Sequence, residues 1–323
     1  MPARRAPLVA TCQVRHSLAG DVQRGDHAPP DSPLQRLRDF TCTKTGDYDI
    51  WREHDLDRGH LNAEQIQYFE DEAAWLCARC EDVGSRNGRK LAHMAEDGKR
   101  LIHQIRAEYS RDSARRHPSS AFDGLREIVN LVRGCKIMQT RNVAYHYGLT
   151  NGARGRLVGV IYGPGGVGTF PEAIVVEMPE YCGPVFYASE PNWVPLLPLL
   201  SVKEGTRMTR RQFPIVAAFA FKVNKAQGLT IKASVVIWLA GSRRFRPAGK
   251  HGLPFVAWTR SESFAMTAFK NLPPWEDFVK GRSSDMLRTR LDFTERLQRL
   301  HERTLAKYTH MKSAEDEDQA HES

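Results

Sequence analysis

The residues of this chain that could handle a phosphate are glycines, lysines and arginines, and their spacing limits what they can do. Gly163-Pro164-Gly165-Gly166-Val167-Gly168-Thr169-Phe170 comes near the phosphate-binding pattern G-x-x-x-x-G-K-[ST]. Thr169 stands where a lysine must neutralise the β- and γ-phosphates, and Phe170 where a hydroxyl must meet magnesium. Pro171 follows where a helix should open, so the run reads as a glycine-rich connection between strands. Cys77 and Cys80 form a single C-x-x-C with no second pair and no histidine pair nearby, which suits a buried strand end better than zinc. Two further groups carry chemistry. Lys225, Gln227, Gly228 and Thr230 combine a cation, two hydrogen-bonding side chains and a glycine that lets backbone approach a ligand. Arg260 offers a planar, permanently charged fork for phosphate oxygens.

Charge supports a polyanion partner. The chain has 323 residues, 47 Lys and Arg against 38 Asp and Glu, and a net charge of +9. Between Lys203 and Lys250 stand eleven of those cations and one acid, Glu204. A stretch so one-sided, alternating with apolar runs, fits a folded domain with one basic face, and nucleic acid is the first partner to expect. The last residues run the other way, through Glu315-Asp316-Glu317-Asp318. No run of about 18 apolar residues exists, so neither a transmembrane helix nor a membrane partner is expected. Six scattered cysteines, at 12, 42, 77, 80, 135 and 182, fit a reducing compartment and a chain that is not secreted. Leu8-Val9-Ala10 is too short for a secretory core, while Arg4, Arg5, Arg15 and Arg24 leave an organelle-targeting reading open.

The elements that must position these residues can be traced along the chain. Residues 1–33, rich in Pro, Arg and Gly, are expected to be disordered. Leu34–Arg38 and Asn62–Phe69 look helical, Ala74–Ala78 suits a buried strand, and a helix is expected from Glu81-Asp82, whose acids favour a first turn. From Leu131 the texture turns to β: Cys135–Met138, Gly155–Val160 and Ala173–Glu177 read as short strands between Gly and Asn turns, as in a small barrel or sandwich. Phe213–Phe221 leads into a helix start. Ala233–Leu239 and Leu253–Ala257 read as buried strands of a parallel sheet. Residues 284–308 form an amphipathic helix candidate on Leu287, Leu291, Leu297, Leu300 and Leu305.

Two segments carry a family resemblance. Phe219-Ala220-Phe221-Lys222-Val223-Asn224-Lys225-Ala226-Gln227-Gly228-Leu229-Thr230-Ile231 is similar to motif V of superfamily-one helicases of the Pif and RecD kind, roughly T-[IV]-[HN]-K-[SA]-Q-G-x-T. Pro254-Phe255-Val256-Ala257-Trp258-Thr259-Arg260 resembles their motif VI, roughly Y-V-A-[LF]-[ST]-R. Upstream, Gly134–Met138 with Asn142, Gly148–Gly155 and Arg211-Gln212-Phe213-Pro214 look like further stretches of the same family, as do Leu34–Arg38 and Cys80–Leu91. The likeness spans residues 34–272. It implies an α/β fold, namely the second RecA-like helicase domain (34–130 and 206–272) with a parallel sheet, interrupted by a small β-barrel insertion (131–205). C-terminal helices (273–310) and an acidic disordered tail (311–323) would follow. Similar halves occur in rolling-circle (Helitron) transposons, which leaves the origin open.

The resemblance also implies roles. Arg260 would reach across a domain cleft to the γ-phosphate as the catalytic arginine, with Gln227 and Gly228 beside the nucleotide. Asn224, Lys225 and Thr230, with Asn151 and Arg154 of the inserted module, would meet DNA. Exposed Tyr145 or Tyr147 would stack on bases, unless they are ordinary half-buried strand residues. Arg38, Arg79 and Arg86 all remain candidates for the motif IV arginine. Lys222 replaces the usual Thr, Phe255 the usual Tyr, and Trp258 a smaller residue. The first RecA-like domain, with its phosphate-loop lysine and acid pair, has no counterpart in these residues. The expectation is therefore a fragment of an ATP-dependent DNA helicase that is inactive alone and takes ATP and magnesium only when paired with that domain. Its partners would be single-stranded DNA and the missing domain or a complete helicase, in the nucleus or mitochondrion. The alternative is a non-catalytic protein that binds single-stranded nucleic acid.

Overall fold

The computed structural model describes residues 32–227, 231, 233–239, 252–280, 282 and 285–321. Helices α1 (Pro33–Asp39), α2 (Asp49–Glu53) and α3 (Ala63–Glu72) lead to strand β1 (Ala74–Cys77) and helix α4 (Cys80–Asp97). A β region follows: β2 (Ile102–Arg106), β3 (Glu108–Tyr109), β4 (Ile128–Val132), β5 (Lys136–Gln139), β6 (Arg154–Ile161), β7 (Ala173–Glu177), β8 (Trp193–Leu196), β9 (Leu199–Val202), β10 (Thr209–Gln212) and β11 (Ile215–Ala217). The chain then returns through β12 (Ala220–Lys222), α5 (Val223–Ala226), β13 (Val235–Trp238), α6 (Leu253–Trp258), β14 (Thr267–Phe269), α7 (Trp275–Lys280) and α8 (Asp285–His321).

Strands distant in sequence form one parallel sheet in the order β12–β1–β13–β14, with Trp75 opposite Ala220 and Val236. All four residues of β1 are buried, as expected of a central strand covered on both faces. Alternation sends Leu76, Val235 and Ile237 into one core with Phe221, Trp258 and Phe269. Trp75, Cys77 and Val236 face the other way, onto Phe69 and Ala268. Helix starts follow local chemistry. Ser32 caps α1 ahead of Pro33, and Asn62 and Gln65 close a reciprocal capping box on α3.

The β strands begin earlier and end later than the 131–205 span read from texture, running from Ile102 to Ala217. A closed barrel is not shown: among the described residues these strands make antiparallel sheets of order β11–β5–β6–β7–β8, β3–β10–β9 and β2–β4. Ile105, Leu131, Ile137, Leu157, Ile174 and Leu196 share one core across these sheets. The glycine-rich run 163–170 is the connection from β6 to the antiparallel β7, with Gly166 and Gly168 at φ 68° and 107°.

Three readings are corrected. Leu253–Ala257 is helix α6, not a strand; Gly252 at φ 79° and Pro254 in the first turn start a helix that buries Pro254, Ala257 and Trp258. A short apolar run shows no period that tells helix from strand. The last helix, an amphipathic candidate over 284–308, forms, yet of its leucines only Leu287 is buried, and Leu291, Leu297, Leu300 and Leu305 are exposed. Its backbone continues to His321, through the segment expected to be a disordered tail. The expectations for residues 1–31, Gly228 and Thr230 fall outside the described residues.

Candidate nucleic-acid interface

Strand β12 is an edge of the parallel sheet, so on one side its backbone lacks a strand neighbour. Asn87 of α4 takes that place. Its side-chain carbonyl accepts from the N–H groups of Phe219 (3.1 Å) and Ala220 (2.8 Å), and its amide donates to the Ala220 carbonyl (3.0 Å). The clamp holds the strand that delivers the next residues. Lys222 ends β12, and α5 turns at once, burying Val223 and Ala226 while Asn224, Lys225 and Gln227 stay exposed.

Beneath Lys225 opens a cleft of about 270 Å³. Gly84, Asn87 and Gly88 form its α4 wall, and Arg126, Lys222 and Lys225 bring cations to it. A Cβ placed on Gly84 or Gly88 would meet nothing within 4 Å, so the helix presents bare backbone there. Desolvation, and then the Arg126 cation, push the Lys225 ammonium below its ordinary pKa. Among the described residues no carboxylate forms an ion pair with Arg126, Lys222 or Lys225. Like charges held together without a counter-ion favour an anion.

A second cleft of about 220 Å³ lies beyond Phe221 and is lined by Lys136, Arg154 and Arg156 with Glu72 and Glu177. The Arg154 guanidinium lies 5.0 Å from the Phe221 ring centre, and burial lowers its pKa against the opposing pull of Glu180. Lys136 donates to the Glu72 carbonyl at 2.9 Å and approaches its carboxylate at 3.4 Å, so this cleft is partly neutralised. Asn151 is exposed, and its backbone N–H donates to the Asn142 side chain at 2.8 Å. Gly155 is required where β6 meets β7, because a Cβ would stand 2.1 Å from the Glu177 carbonyl. Tyr145 and Tyr147 are exposed rather than half-buried core residues, at 71% and 44%.

Arg260 follows the C-cap of α6. Its carbonyl accepts from the Ile231 N–H at 2.9 Å, which ties it to the chain that follows α5. The guanidinium folds back on its own helix, donating to the Val256 carbonyl (3.0 Å) and Thr259 hydroxyl (2.9 Å), and burial lowers its pKa. The structure thus carries Asn224, Lys225 and Gln227 on α5 and the residue after it, ties Arg260 by its backbone to Ile231, joins Arg154 to Phe221, and places Asn151 on a separate loop.

The three motif IV candidates have partners. Arg38 donates to Asp39, and Arg79, at the N-cap of α4, holds Asp82 by two bonds of 3.0 Å. Arg86 is 5% exposed, paired with Glu70, and lies 3.8 Å over the Trp75 ring, a structural position. Cys77 is buried with its thiol pushed up to about 12, Cys80 is exposed, and no cluster that could hold a metal ion occurs among the described residues. No helix among them is long and apolar enough to cross a membrane. Sequence reasoning missed Arg126 and the clamp of Asn87. Neither has a local signal, since a lone Arg before β4 and an Asn within α4 acquire meaning only across the fold.

No family model matches the chain. In sequence it is similar to "ATP-dependent DNA helicase PIF1" of Homo sapiens, 27% identical over 165 residues, which cover 49% of this chain and 22% of that protein. The Danio rerio protein of the same name is 30% identical over 191 residues, 59% of this chain and 26% of that one. In structure it is similar to Pif1 helicase from Candida albicans, with a TM-score of 0.58 and 20% identity over 82% of this chain and 56% of that chain. Bacteroides Pif1 bound to ssDNA gives a TM-score of 0.50 and 17% identity over 76% of this chain and 49% of that one. The matched region therefore spans about a quarter of the curated relatives and half of the solved chains, and at these identities the structural likeness shows the fold. By sequence over about half its length and by fold over most of it, this chain is a homologue of the Pif1 DNA helicases.

Proposed function

We propose that these residues form the C-terminal motor segment of a Pif-type ATP-dependent DNA helicase, and that the cleft beneath Lys225 holds single-stranded DNA. The cleft itself carries this reading: three cations without paired carboxylates converge on an open wall of bare backbone. A phosphodiester chain would supply the counter-charge, and Asn224 and Gln227, exposed before and after Lys225 in the chain, would offer it hydrogen-bonding groups. The relatives are named ATP-dependent DNA helicases, and one solved neighbour is described as bound to ssDNA, which supports the same assignment.

In this reading ATP and magnesium bind chiefly to a first RecA-like domain that these residues do not supply, and the nucleotide contributes a phosphoryl group transferred to water. Arg260 would swing from its helix toward that nucleotide and stabilise developing charge on it. Gly228 and Thr230 would complete the loop between the nucleotide and the DNA. The missing domain, in the same chain or another, is thus a partner, and the whole serves DNA repair and recombination in the nucleus or mitochondrion.

The test uses the purified 323-residue chain with labelled oligothymidine. Binding should weaken steeply with salt, and Lys225→Ala and Arg126→Ala should each reduce the log–log slope by about 0.7, one phosphate contact on a single strand. ATP turnover should be absent alone and appear on adding a first RecA-like domain, unless Arg260 is changed to Ala. Salt-independent binding refutes the DNA cleft, and turnover by the chain alone refutes the incomplete motor. Binding that persists while no added domain restores turnover favours the non-catalytic nucleic-acid-binding alternative.

A further inference from the structure

The basic stretch that begins at Lys203 is only partly used by the cleft. Lys222 and Lys225 line it, whereas Lys203 and Arg207 stand in the turn between β9 and β10, and Arg210 and Arg211 on β10 itself. Arg211 is spent on Glu108 at 2.7 Å. Arg210 has no such partner. It is 1% exposed, and its guanidinium donates to neutral oxygens alone: the Leu125 carbonyl at 2.8 Å, the His117 carbonyl at 2.9 Å and the Ser119 hydroxyl at 3.5 Å. The Tyr109 and Phe122 rings cover it at 5.1 and 4.4 Å. A guanidinium stays charged in a protein, and the low polarity of the interior carries its field farther than water would.

Further cations gather beside it. Exposed Arg115 lies 5.5 Å from the same Tyr109 ring, and the Lys203 ammonium is 3.4 Å from His117 Nε2. The Thr209 N–H donates to the Ser110 hydroxyl at 2.9 Å, so the 3-10 turn Asp112–Arg116 runs alongside the β9–β10 hairpin. Nearby acids leave this group charged. Glu108 is held by Arg211, and Asp123 accepts from Ser201 and Arg141. Asp112 stands 3.6 Å from Arg115 with 97% of its side chain exposed, a contact of little strength. Glu127 and Glu204 are exposed, and among the described residues no carboxylate pairs with Lys203, Arg207 or Arg210.

The chain itself connects this group to the cleft. Arg210 holds the carbonyls of His117 and Leu125, and Arg126, the next residue, lines the cleft. We propose that Arg115 and Lys203, above the buried Arg210, form a second phosphate subsite for the same single strand of DNA, reached past Arg126. This rests on the cleft reading and extends it. Arg115 and Lys203 meet phosphate oxygens, while Arg210 acts from beneath, by its charge and by fixing the backbone between the two sites. The Tyr109 and Phe122 rings are taken up by the arginines, so the subsite holds backbone and reads no base.

Fluorescence anisotropy of the full chain with labelled oligothymidine tests it, using strands of about 6 nucleotides, enough for the cleft, and about 18, enough for both sites. The log–log salt slope should be steeper for the long strand. Arg115→Ala/Lys203→Ala should lower that slope by about 1.4, two phosphate contacts on a single strand, and leave short-strand binding unchanged. Lys225→Ala should weaken both lengths. Arg115→Lys/Lys203→Arg keeps both charges and should bind the long strand as the wild type does, which separates lost charge from a damaged hairpin. A slope that does not grow with length, a double variant with the wild-type slope, or a loss equal at both lengths overturns the proposal. So does a loss seen only when the added nucleotides are paired, which would assign the group to duplex DNA. A short strand that fails to bind, while the long strand still depends on Arg115 and Lys203, sinks the cleft and leaves the subsite.

Discussion

Replacing Asn87 with Ala tests whether one amide holds the functional edge of the sheet. The change removes three hydrogen bonds, from the N–H groups of Phe219 and Ala220 and to the Ala220 carbonyl, all on buried residues of an edge with no other strand to pair them. Each such bond is worth about 0.5–1.5 kcal/mol net, and leaving a buried group unpaired costs more. The cleft lets water reach part of the edge, so the sum should lie near 2–3 kcal/mol, a fall of about 5 °C in melting temperature for a chain of this size. Because β12 delivers Lys222 and α5, DNA affinity should fall as well. Asn87→Asp separates the two effects. Its carboxylate still accepts from both N–H groups, so stability should recover in part, while a negative charge at the wall of the cleft should weaken DNA binding further. Thermal unfolding by circular dichroism and fluorescence anisotropy on one preparation read both. An Asn87→Ala chain that melts with the wild type would refute the clamp, and an Asn87→Asp chain that binds DNA normally would refute the anion cleft.

Other outcomes follow from the same geometry. Gly84→Ala and Gly88→Ala should each stabilise α4 by about 0.5–1 kcal/mol in denaturant melts, because the added Cβ meets nothing and alanine favours the helix; Gly84→Phe should fill the cleft and reduce DNA binding at similar stability. Arg86→Ala should cost about 2–3 kcal/mol by stranding Glu70 and uncovering Trp75, with DNA binding unchanged wherever the chain remains folded. His54 has its pKa lowered from 6.5 by burial, against the bond of its Nδ1 to the Thr267 carbonyl at 2.8 Å. Below pH 6.5 the unfolded chain therefore takes a proton that the fold resists, and stability falls as pH drops from 6.5 through the folded pKa; a His54→Gln chain should lose that part of the slope in melts between about pH 5 and 7. Maleimide should label Cys80 and Cys182 in the native chain and reach Cys42, Cys77 and Cys135 only on unfolding, because those three are buried with thiols pushed up to about 12, 12 and 11.

Local physics explains which expectations the structure bears out. Ala74–Ala78 is apolar throughout and short, and it forms β1; Ala233–Leu239 has the same character and contributes β13. The helix after Glu81-Asp82 begins where its acids favour a first turn. Leu253–Ala257 is as apolar as either strand, yet Pro254 and the left-handed Gly252 turn it into α6, a cue of one turn that composition hides. The leucines of α8 have helical spacing, and spacing alone does not say whether another surface lies within reach. Strands such as β2 and β10 are too polar to announce themselves, and pairing with distant segments defines them.

The sequence by itself determined the chemistry present and its order: a basic central stretch, the run from Lys222 to Thr230, Arg260 about thirty residues later, and a glycine run without the lysine of a phosphate loop. Those properties depend on residue type and short spacing, which no folding step alters. Tertiary structure decided which charges act together. Arg126 lies about a hundred residues from Lys225 in sequence and shares its cleft, Asn87 completes a strand more than 130 residues away, and Arg86 is spent on Glu70 and Trp75. A cation binds an outside phosphate only when no carboxylate of its own chain has reached it first, and long-range packing alone settles that competition.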